Sequence, residues 1–259
     1  MIVDAHVHIH PRKDGFGDRF DASLDALIRS LDASPVDRAI LLPIAPDIPN
    51  AFVAEAVARY PTKLLAFASV NPVTSANPAN ELEQAVLKYG FRGLKLHPRR
   101  QRFGVNETNE VTVVVRKAAE LRIPAMFDAF RYGPRALRDT SLELIERVAE
   151  TVPEADIIIA HMGGNRLFDA LTLARSSRRI YFDVSLILAR YKGSSIEQDI
   201  AYAIRRLGAD RCIYGSDHPD VELGESYTLM KEYLDNHGFS EDEQAEIFGG
   251  TIERLIGLS

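Results

Sequence analysis

Two histidines near the start of the chain, His6 and His8, have the residue type and spacing of metal ligands. They lie two positions apart in an apolar segment, so a β-strand would place both imidazoles on the same face. Two neutral imidazoles that converge from one strand supply half of a typical zinc site. An isolated pair could equally consist of surface or hydrogen-bonded histidines. Its meaning therefore depends on what the rest of the chain places beside it.

Further metal-competent or polar side chains end the later apolar segments of the chain. These side chains are Lys95, His97, Asp128, His161 and Asp217. Burying such a group at the end of an apolar strand costs free energy unless the group is paired or bound to a metal. If the strand ends converge, these side chains can satisfy one another through a shared cation.

The elements that must position these residues alternate along the chain. Short apolar runs rich in β-branched residues predict eight strands, over residues 2–8, 38–44, 64–70, 93–97, 125–130, 156–161, 180–185 and 212–215. Amphipathic stretches predict helices between and after them, over residues 23–31, 50–60, 81–89, 110–121, 142–151, 166–176, 196–207 and 226–237. A capping box at 240–243 opens a last helix, which we expect the glycine pair Gly249 and Gly250 to end.

Strict alternation of strand and helix predicts parallel strands joined by right-handed crossovers. Eight such units in 259 residues match a single α/β domain over residues 1–259, a (β/α)8 TIM barrel. The alternative is an open doubly wound sheet, which usually carries a glycine-rich phosphate loop after its first strand. Here the first strand runs instead into Ile9-His10-Pro11. In a barrel the carboxyl ends of all eight strands meet at one mouth, where catalytic groups collect.

Composition excludes several other classes of protein. The formal net charge is −6, so no basic surface indicates a nucleic-acid partner or an anionic membrane. The only cysteine, Cys212, lies in an apolar segment and is expected to be a buried bystander in a reducing compartment. Neither a signal-peptide pattern nor a run of 18 apolar residues occurs, which leads us to expect a cytoplasmic protein without a membrane partner.

Four motifs together resemble a known family. They are VDAHVH at residues 3–8, GLKLHP at 93–98, IAHMGG at 159–164 and GSDHP at 215–219. In this order they are similar to the amidohydrolase superfamily, in particular to its type 2 branch. That branch also holds the aminocarboxymuconate semialdehyde decarboxylases and the pyrone dicarboxylate lactonases. The motifs span almost the whole chain, which makes their combination far more specific than any one of them.

The resemblance implies a divalent metal, commonly zinc, held by His6, His8, His161 and Asp217. It also implies that Asp217 accepts a proton from the metal-activated water. In binuclear members of the superfamily a lysine on strand four is carboxylated and bridges two ions, and Lys95 occupies a comparable strand. The alternative is an unmodified Lys95 that binds a substrate carboxylate. We expect the unmodified lysine and one ion, because this branch is more often mononuclear.

Two departures from the family pattern bear on the chemistry. The branch often has histidine at the end of strand five, where this chain has Asp128, which could bind the metal or hydrogen-bond a ligand histidine. The decarboxylases use a histidine just after strand seven, and the segment 183–189 contains none. Hydrolysis is therefore favoured over decarboxylation, in which His97 or Asp128 would have to supply the proton.

Arginines on two loops at the mouth suggest the kind of substrate. Arg99, Arg100 and Arg102 follow strand four, and Arg131 and Arg135 follow strand five. Arginine forks suit carboxylates or phosphates, although loop arginines are often merely solvated. We expect a small carboxylate-bearing substrate, with Arg99 and Arg131 among the residues that bind it.

Three functional hypotheses remain. The first is a metal-dependent hydrolase of an amide, lactone or ester bond, in which Asp217, His97 and Lys95 are the catalytic residues. The second is a metal-dependent non-oxidative decarboxylase or hydratase, and the third is a metal-binding barrel without catalysis. The sequence leaves the substrate, the metal and the oligomeric state open, although Phe16 and Phe20 could support a homodimer.

Overall fold

A computed structural model describes residues 1–134 and 136–258 of the chain. Arg135, which the sequence places with the arginines after strand five, lies outside the described residues. The strands, numbered in chain order, are β1 (Val3–Val7), β2 (Arg38–Leu41), β3 (Leu64–Ala66), β4 (Ala68–Ser69), β5 (Leu94–Leu96), β6 (Ala125–Phe127), β7 (Ile157–Ile159), β8 (Ile180–Asp183) and β9 (Cys212–Ile213).

These strands form a closed parallel barrel. One sheet has the order β1-β2-β3 and the other the order β4-β5-β6-β7-β8-β9, every pair being parallel. β3 and β4 are separated only by Phe67 and together make the third barrel strand. After β9, the Tyr214 carbonyl accepts a 3.0 Å hydrogen bond from the Ala5 amide, and a parallel bridge joins Val7 to His218. The predicted (β/α)8 barrel is thus confirmed.

Helices cover the barrel between successive strands. They are α1 (Leu24–Asp32), α2 (Asn50–Arg59), α3 (Pro78–Tyr89), α4 (Pro98–Gln101), α5 (Thr108–Glu120), α6 (Ser141–Thr151), α7 (Leu167–Ser176), α8 (Ile187–Tyr191), α9 (Ser195–Leu207), α10 (Leu223–Asn236), α11 (Glu241–Ala245) and α12 (Thr251–Leu255). α3 shows local specification, since the Asn77 side chain caps its first turn and left-handed Gly90 ends it. α5 forms despite its β-branched run, because Val111, Val114 and Val115 are buried against the barrel.

One sequence prediction about the C-terminal region is wrong. The glycine pair Gly249 and Gly250 does not end the last helix: the chain continues through a π-helical turn, Glu246–Gly250, directly into α12. A Cβ on Gly249 would lie 2.1 Å from the carbonyl oxygen of Met1, whereas Gly250 has ordinary helical dihedrals. Close approach to the first residue of the chain, rather than a left-handed cap, therefore requires glycine at position 249.

The hydrophobic core consists of two clusters, because successive residues of each strand point to opposite faces of the barrel wall. Phe127 and Ile159 belong to the larger cluster, which includes the buried faces of the helices, while Met126 and Ile158 belong to a second, smaller cluster. The amino group of Lys95 lies 3.7 Å from the Met126 sulfur, so Lys95 points to the same side as that second cluster. Polar residues two positions beyond Met126 and Lys95 continue this face towards the mouth.

The strands end earlier than the sequence predicts, which affects how the site is built. β5 stops at Leu96 because His97 already serves as the N-terminal flank of α4, and β7 stops at Ile159 before a tight turn. The polar residues therefore lie at the first loop positions rather than in the ladder. Separately, no helix among the described residues is long and apolar enough to cross a membrane.

Candidate metal centre

Three of the predicted metal ligands meet at the mouth of the barrel. Each of His6, His161 and Asp217 offers one ligand atom, and these atoms lie within 4.8 Å of one another. His8 joins them, because its Nε2 atom is 3.5 Å from Oδ1 of Asp217, and the Nε2 atom of His6 is 3.4 Å from the same oxygen. All four side chains are buried. The structure thus brings together four residues that are up to 211 positions apart in the sequence.

Every one of the three imidazoles is held through its Nδ1 atom. His6 Nδ1 lies 2.5 Å from a carboxylate oxygen of Asp183, and His8 Nδ1 lies 2.6 Å from the carbonyl oxygen of Leu42. His161 Nδ1 lies 2.9 Å from the hydroxyl of Ser185 and 3.2 Å from its carbonyl oxygen. An acceptor at Nδ1 fixes the proton on that nitrogen and leaves the lone pair on Nε2, as in metal-binding histidines.

The backbone of two ligands is in the left-handed region. His161 has φ of 55° and Asp217 has φ of 65°, in turns that follow β7 and β9. Residues other than glycine adopt this conformation at a cost of about 1 to 3 kcal/mol each, and such strain is concentrated at functional sites. Gly215 makes the approach possible, since a Cβ there would lie 2.7 Å from the Cβ of His6. The strained turns therefore aim both side chains at the strand that carries His6.

The remaining predicted residues flank the ligands on the side of β5 and β6. The Lys95 amino group lies 3.1 Å from Nε2 of His6, and Asp128 places one oxygen 3.3 Å from Nε2 of His161. The other oxygen of Asp128 is 3.7 Å from Nδ1 of His97, which has no hydrogen-bond partner among the described residues. Asp128 thus stands between two histidines, where it can orient His161 or act as a further ligand.

Burial and neighbouring charges shift the pKa values of His6 and His161 in opposite directions. Desolvation lowers the pKa of His6 to about 3, and the Lys95 charge acts in the same direction. For His161 desolvation acts downwards, but the hydrogen bond to Asp128 and the charge of Asp217 outweigh it and raise the pKa to about 9. His6 is therefore neutral near pH 7, whereas His161 is cationic when no metal is bound.

The carboxylates are affected in opposite directions. Desolvation raises the pKa of Asp217 to about 7, and the charge of His161 only partly offsets this. Desolvation also acts upwards on Asp128, but its interactions with His97, the hydrogen bond and charge of His161 and the charge of Lys95 hold the pKa of Asp128 well below its usual range. One carboxyl group of the site is thus poised to exchange a proton near neutral pH, and the other stays ionised.

This donor set fits a divalent cation. Three imidazole nitrogens and one carboxylate are the ligands that zinc prefers, and each imidazole already has its second nitrogen engaged. Asp217 and Asp128 place two negative charges near His161, which the proton on His161 offsets when no metal is bound. A divalent cation would replace that proton and offset the two carboxylates with a larger positive charge. His6, His8, His161 and Asp217 are the residues that would hold it.

A cavity of about 340 Å³ opens directly above these residues. His8, His97, His161, Asp128 and Asp217 reach its surface. Its wall also carries three arginines and four aromatic residues, namely Arg19, Arg100, Arg190, Phe16, Phe20, Phe130 and Tyr132. The metal-ligating and titratable groups therefore share one space with cationic and aromatic side chains.

The arginines predicted to bind substrate lie behind this wall. Arg99 stacks on the ring of Tyr132, with 3.3 Å from its Cζ atom to the ring centroid, and Arg131 donates a 2.8 Å hydrogen bond to the carbonyl of Asp139. Neither belongs to the cavity lining among the described residues. Arg100, one residue further along α4, does so instead and lies over Phe16 at 5.1 Å.

Sequence reasoning did not assign roles to three buried residues that support the ligands. Asp183 and Ser185 hold His6 and His161, and Asp4 accepts hydrogen bonds from the amides of His6 and Ser216. The signal for Asp183 was present, because a carboxylate ends an apolar strand there as Asp128 does on β6. Asp4 was visible only as part of the first motif.

A (β/α)8 barrel with histidine and carboxylate groups converging at its mouth defines the general class of this protein. The profile of the amidohydrolase family matches residues 3–258. The chain therefore belongs to the amidohydrolase family. None of the curated proteins matches it significantly in sequence.

Solved structures share the same fold over nearly the whole chain. An uncharacterized TIM-barrel protein from Bordetella bronchiseptica is 18% identical with a TM-score of 0.79, covering 99% of this chain and 98% of its own. A probable 2-pyrone-4,6-dicarboxylic acid hydrolase from Acinetobacter baumannii, with citric acid bound, is 19% identical with a TM-score of 0.73, covering 99% of each chain.

A third structure is a dihydroxybenzoic acid decarboxylase from Polaromonas, which contains bound manganese and the inhibitor 2-nitroresorcinol. It is 18% identical with a TM-score of 0.73, covering 99% of this chain and 97% of its own. Family membership supports metal-dependent catalysis. The similar structures include both a hydrolase and a decarboxylase, so the reaction has to be argued from this chain's own residues.

Proposed function

We propose that this protein is a metal-dependent hydrolase that cleaves a lactone, ester or amide bond of a small carboxylate-bearing substrate. The observation that carries the proposal is a set of three imidazoles, each held at Nδ1, grouped with Asp217 below a cavity that arginines line. The Nε2 atoms of His6 and His8 lie within 3.5 Å of the Asp217 carboxylate, and His161 joins the same cluster. The site supplies metal ligands, a proton acceptor and anion-binding groups in one place.

A single divalent cation, zinc in our proposal, would lower the pKa of a water molecule and polarise the carbonyl group under attack. His6, His8, His161 and Asp217 would hold it. We propose one ion and an unmodified Lys95, because the branch of the family that this chain resembles is more often mononuclear. The Lys95 amino group lies 3.1 Å from Nε2 of His6 and would have to turn away from that nitrogen when the ion binds.

Asp217 is the residue that moves the proton. Its carboxylate reaches the surface of the cavity, where it can accept a proton from the attacking water and return it to the leaving group. Its left-handed backbone and its contacts with His6 and His8 fix the direction in which the oxygens point. Lys95, whose charge acts on Asp217, and His97, at the surface of the same cavity, supply an ammonium group and a neutral imidazole that can stabilise negative charge on the substrate.

The cavity wall indicates how the substrate is held. Arg19, Arg100 and Arg190 supply guanidinium groups for carboxylates, and Arg190 is itself oriented by a 2.8 Å ion pair with Asp220. Phe130 and Tyr132 give the cavity a flat apolar side, which suits a planar ring. A cyclic acid such as a pyrone dicarboxylate fits both features.

Decarboxylation of an aromatic acid is the second candidate. The buried Nδ1 atom of His97, which has no hydrogen-bond partner among the residues that the structure describes, lies 3.7 Å from Asp128 at the cavity surface and favours it. This nitrogen could take up a proton from water, with the ionised Asp128 stabilising the imidazolium, and pass it to a ring carbon. Against it stands Ser185, which occupies the region after β8 where the decarboxylases of this branch use a histidine. A serine hydroxyl is too weak an acid to replace that histidine.

One assay separates the two reactions. Protein loaded with zinc or manganese is incubated with 2-pyrone-4,6-dicarboxylate and with 2,6-dihydroxybenzoate, and ring opening and carbon dioxide release are measured in parallel. We expect ring opening without carbon dioxide release, lost after chelation and restored by metal. Carbon dioxide release from the benzoate would instead support the decarboxylase, and turnover that survives complete metal removal would contradict both candidates.

A further inference from the structure

A second cavity, of about 630 Å³, lies at the end of the barrel opposite the mouth. Its wall contains residues that immediately precede the later strands: Asp156 before β7, Arg179 before β8 and Arg211 before β9. Because parallel strands all begin at the same face, these residues mark the base of the barrel. The cavity is therefore separate from the candidate metal centre and takes no part in the proposed function.

Five arginines surround this cavity, which we call the basal arginine pocket: Arg122, Arg178, Arg179, Arg211 and Arg254. Two aspartates, Asp156 and Asp210, are its only acidic lining residues in the part of the chain that the structure describes, which leaves a net charge of +3. The whole chain has a net charge of −6. Like charges gathered in one concavity repel one another, so stability does not explain the arginines of this cavity that form no ion pair or hydrogen bond with the protein.

Three of the five guanidinium groups are held in place by the protein. Arg211 donates to the carbonyls of Ser177 and Ile180 at 2.7 and 3.1 Å, and Arg179 forms a 3.0 Å ion pair with Asp156. Arg254 pairs with Glu246. Burial lowers the pKa of Arg211, and the nearby charge of Arg178 acts in the same direction. These three form a preorganised positive wall.

The other two arginines, Arg122 and Arg178, are exposed, and no carboxylate of the described residues lies within 4.0 Å of either. They can turn towards a ligand without breaking an ion pair. Tyr181 and Leu255 add partly apolar surface to the lining. A fixed wall, two adaptable donors and a partly apolar surface together have the composition of a binding site rather than of a solvated surface.

We propose that the basal arginine pocket binds a compact phosphate-bearing anion with more than one negative charge, such as a sugar bisphosphate. Guanidinium groups donate paired N–H groups that match phosphate oxygens, and the net charge of the pocket is opposite in sign and similar in size to that of a bisphosphate. The cavity is large enough for two phosphate groups with a short carbon skeleton between them.

The test is isothermal titration of the metal-loaded protein with fructose 1,6-bisphosphate, with inorganic phosphate titrated in parallel. The variant Arg122→Ala with Arg178→Ala removes the two unpaired guanidinium groups and should weaken bisphosphate binding at least about tenfold. A matched control, Arg116→Ala with Arg147→Ala, removes two exposed arginines elsewhere and should leave the affinity within about twofold. Thermal unfolding should shift upwards with bisphosphate only in proteins that bind it.

A third variant, Arg100→Ala, tests whether the anion enters the mouth of the barrel instead. The proposal is overturned if Arg100→Ala loses bisphosphate binding while the Arg122 and Arg178 double variant keeps it. It is equally overturned if the unaltered protein shows no saturable binding at low ionic strength, or if both double variants weaken it alike, since either result would mean only non-specific charge attraction.

Discussion

The two ends of the barrel both gather charged residues, but they do so in opposite ways. At the mouth, the candidate ligands and the charged groups beside them, Lys95 and Asp128, are buried, and each of the three histidines has its own hydrogen-bond acceptor. The arginines of the cavity wall above them are exposed. At the base, the charges are mostly of one sign, and Arg122 and Arg178 are exposed. The mouth is thus suited to holding groups at fixed distances, whereas the base is suited to attracting a charged ligand. Substitutions should therefore have large effects at the mouth and small ones at the base.

The largest effect is expected for Asp217→Asn at the mouth. The amide cannot accept the proton, so turnover of the substrate should fall by about 10²- to 10⁴-fold. Circular dichroism and metal content show whether the variant is folded and loaded. The matched variant Asp220→Asn, on the same loop, should keep turnover within about tenfold, because the Asp220 side chain pairs with Arg190 and with none of the candidate ligands. Full activity in a folded, metal-loaded Asp217→Asn protein would remove Asp217 from the mechanism.

Metal binding at the mouth should depend steeply on pH. His161, with a pKa of about 9, must lose its proton to bind metal, and Asp217, with a pKa of about 7, is half protonated near neutrality. Uptake of zinc at pH 7 should therefore release about one to two protons, and affinity should rise about 10- to 100-fold per pH unit there. Calorimetry in buffers of different ionisation enthalpy measures this number. A pH-independent affinity between about pH 6 and 8 would contradict the assignment of these two ligands.

A smaller effect is expected when the support of a ligand is altered. In Asp183→Asn, an NH₂ group can face Nδ1 of His6 and favour the tautomer whose proton lies on Nε2, so zinc affinity should fall about 10- to 100-fold. Competition with a chromogenic chelator measures the affinity. Asp156→Asn, a carboxylate at the base, is the control and should leave it unchanged. Equal losses in both variants would indicate general destabilisation rather than a positioning role for Asp183.

The smallest effects concern the base alone. Arg211→Ala removes donors to the carbonyls of Ser177 and Ile180 and should lower the free energy of unfolding by about 1 to 3 kcal/mol. Arg178→Ala, without such contacts, should change it by less than about 0.5 kcal/mol. Urea unfolding curves distinguish the two. If Arg178→Ala destabilised the protein as much as Arg211→Ala, the pocket would be structural rather than a binding site.

The sequence predicted the fold, and the structure brings the candidate site residues together, for a common physical reason. Alternation along a strand places His6 with His8 and Lys95 with His97 on one face, and the order of eight strands brings their carboxyl ends together. Both the alternation and the strand order are regular patterns that can be recognised in the sequence alone. That the chain forms one domain over residues 1–259 stays a prediction.

The features that the sequence could not predict depend on the geometry of single turns and on contacts with distant parts of the backbone. Arg99 and Arg100 are neighbouring residues of the same type, so the sequence does not distinguish them. The short helix α4 determines that Arg100 faces the cavity while Arg99 stacks on Tyr132. Gly249 resembled a helix stop because close contact with a distant backbone atom leaves no trace in the local sequence. The acceptor for His8 is a main-chain carbonyl, that of Leu42, which no side-chain pattern can reveal.

The left-handed backbone at His161 and Asp217 limits which metals this scaffold can come to use. Histidine, aspartate and asparagine tolerate that conformation better than most residues, whereas β-branched and bulky side chains do not. Single substitutions at these two positions can therefore reach only a narrow repertoire of ligands. A change of metal preference, by natural drift or by design, would have to begin at His6, in the extended strand β1, or at His8 directly after it, since neither has a left-handed backbone.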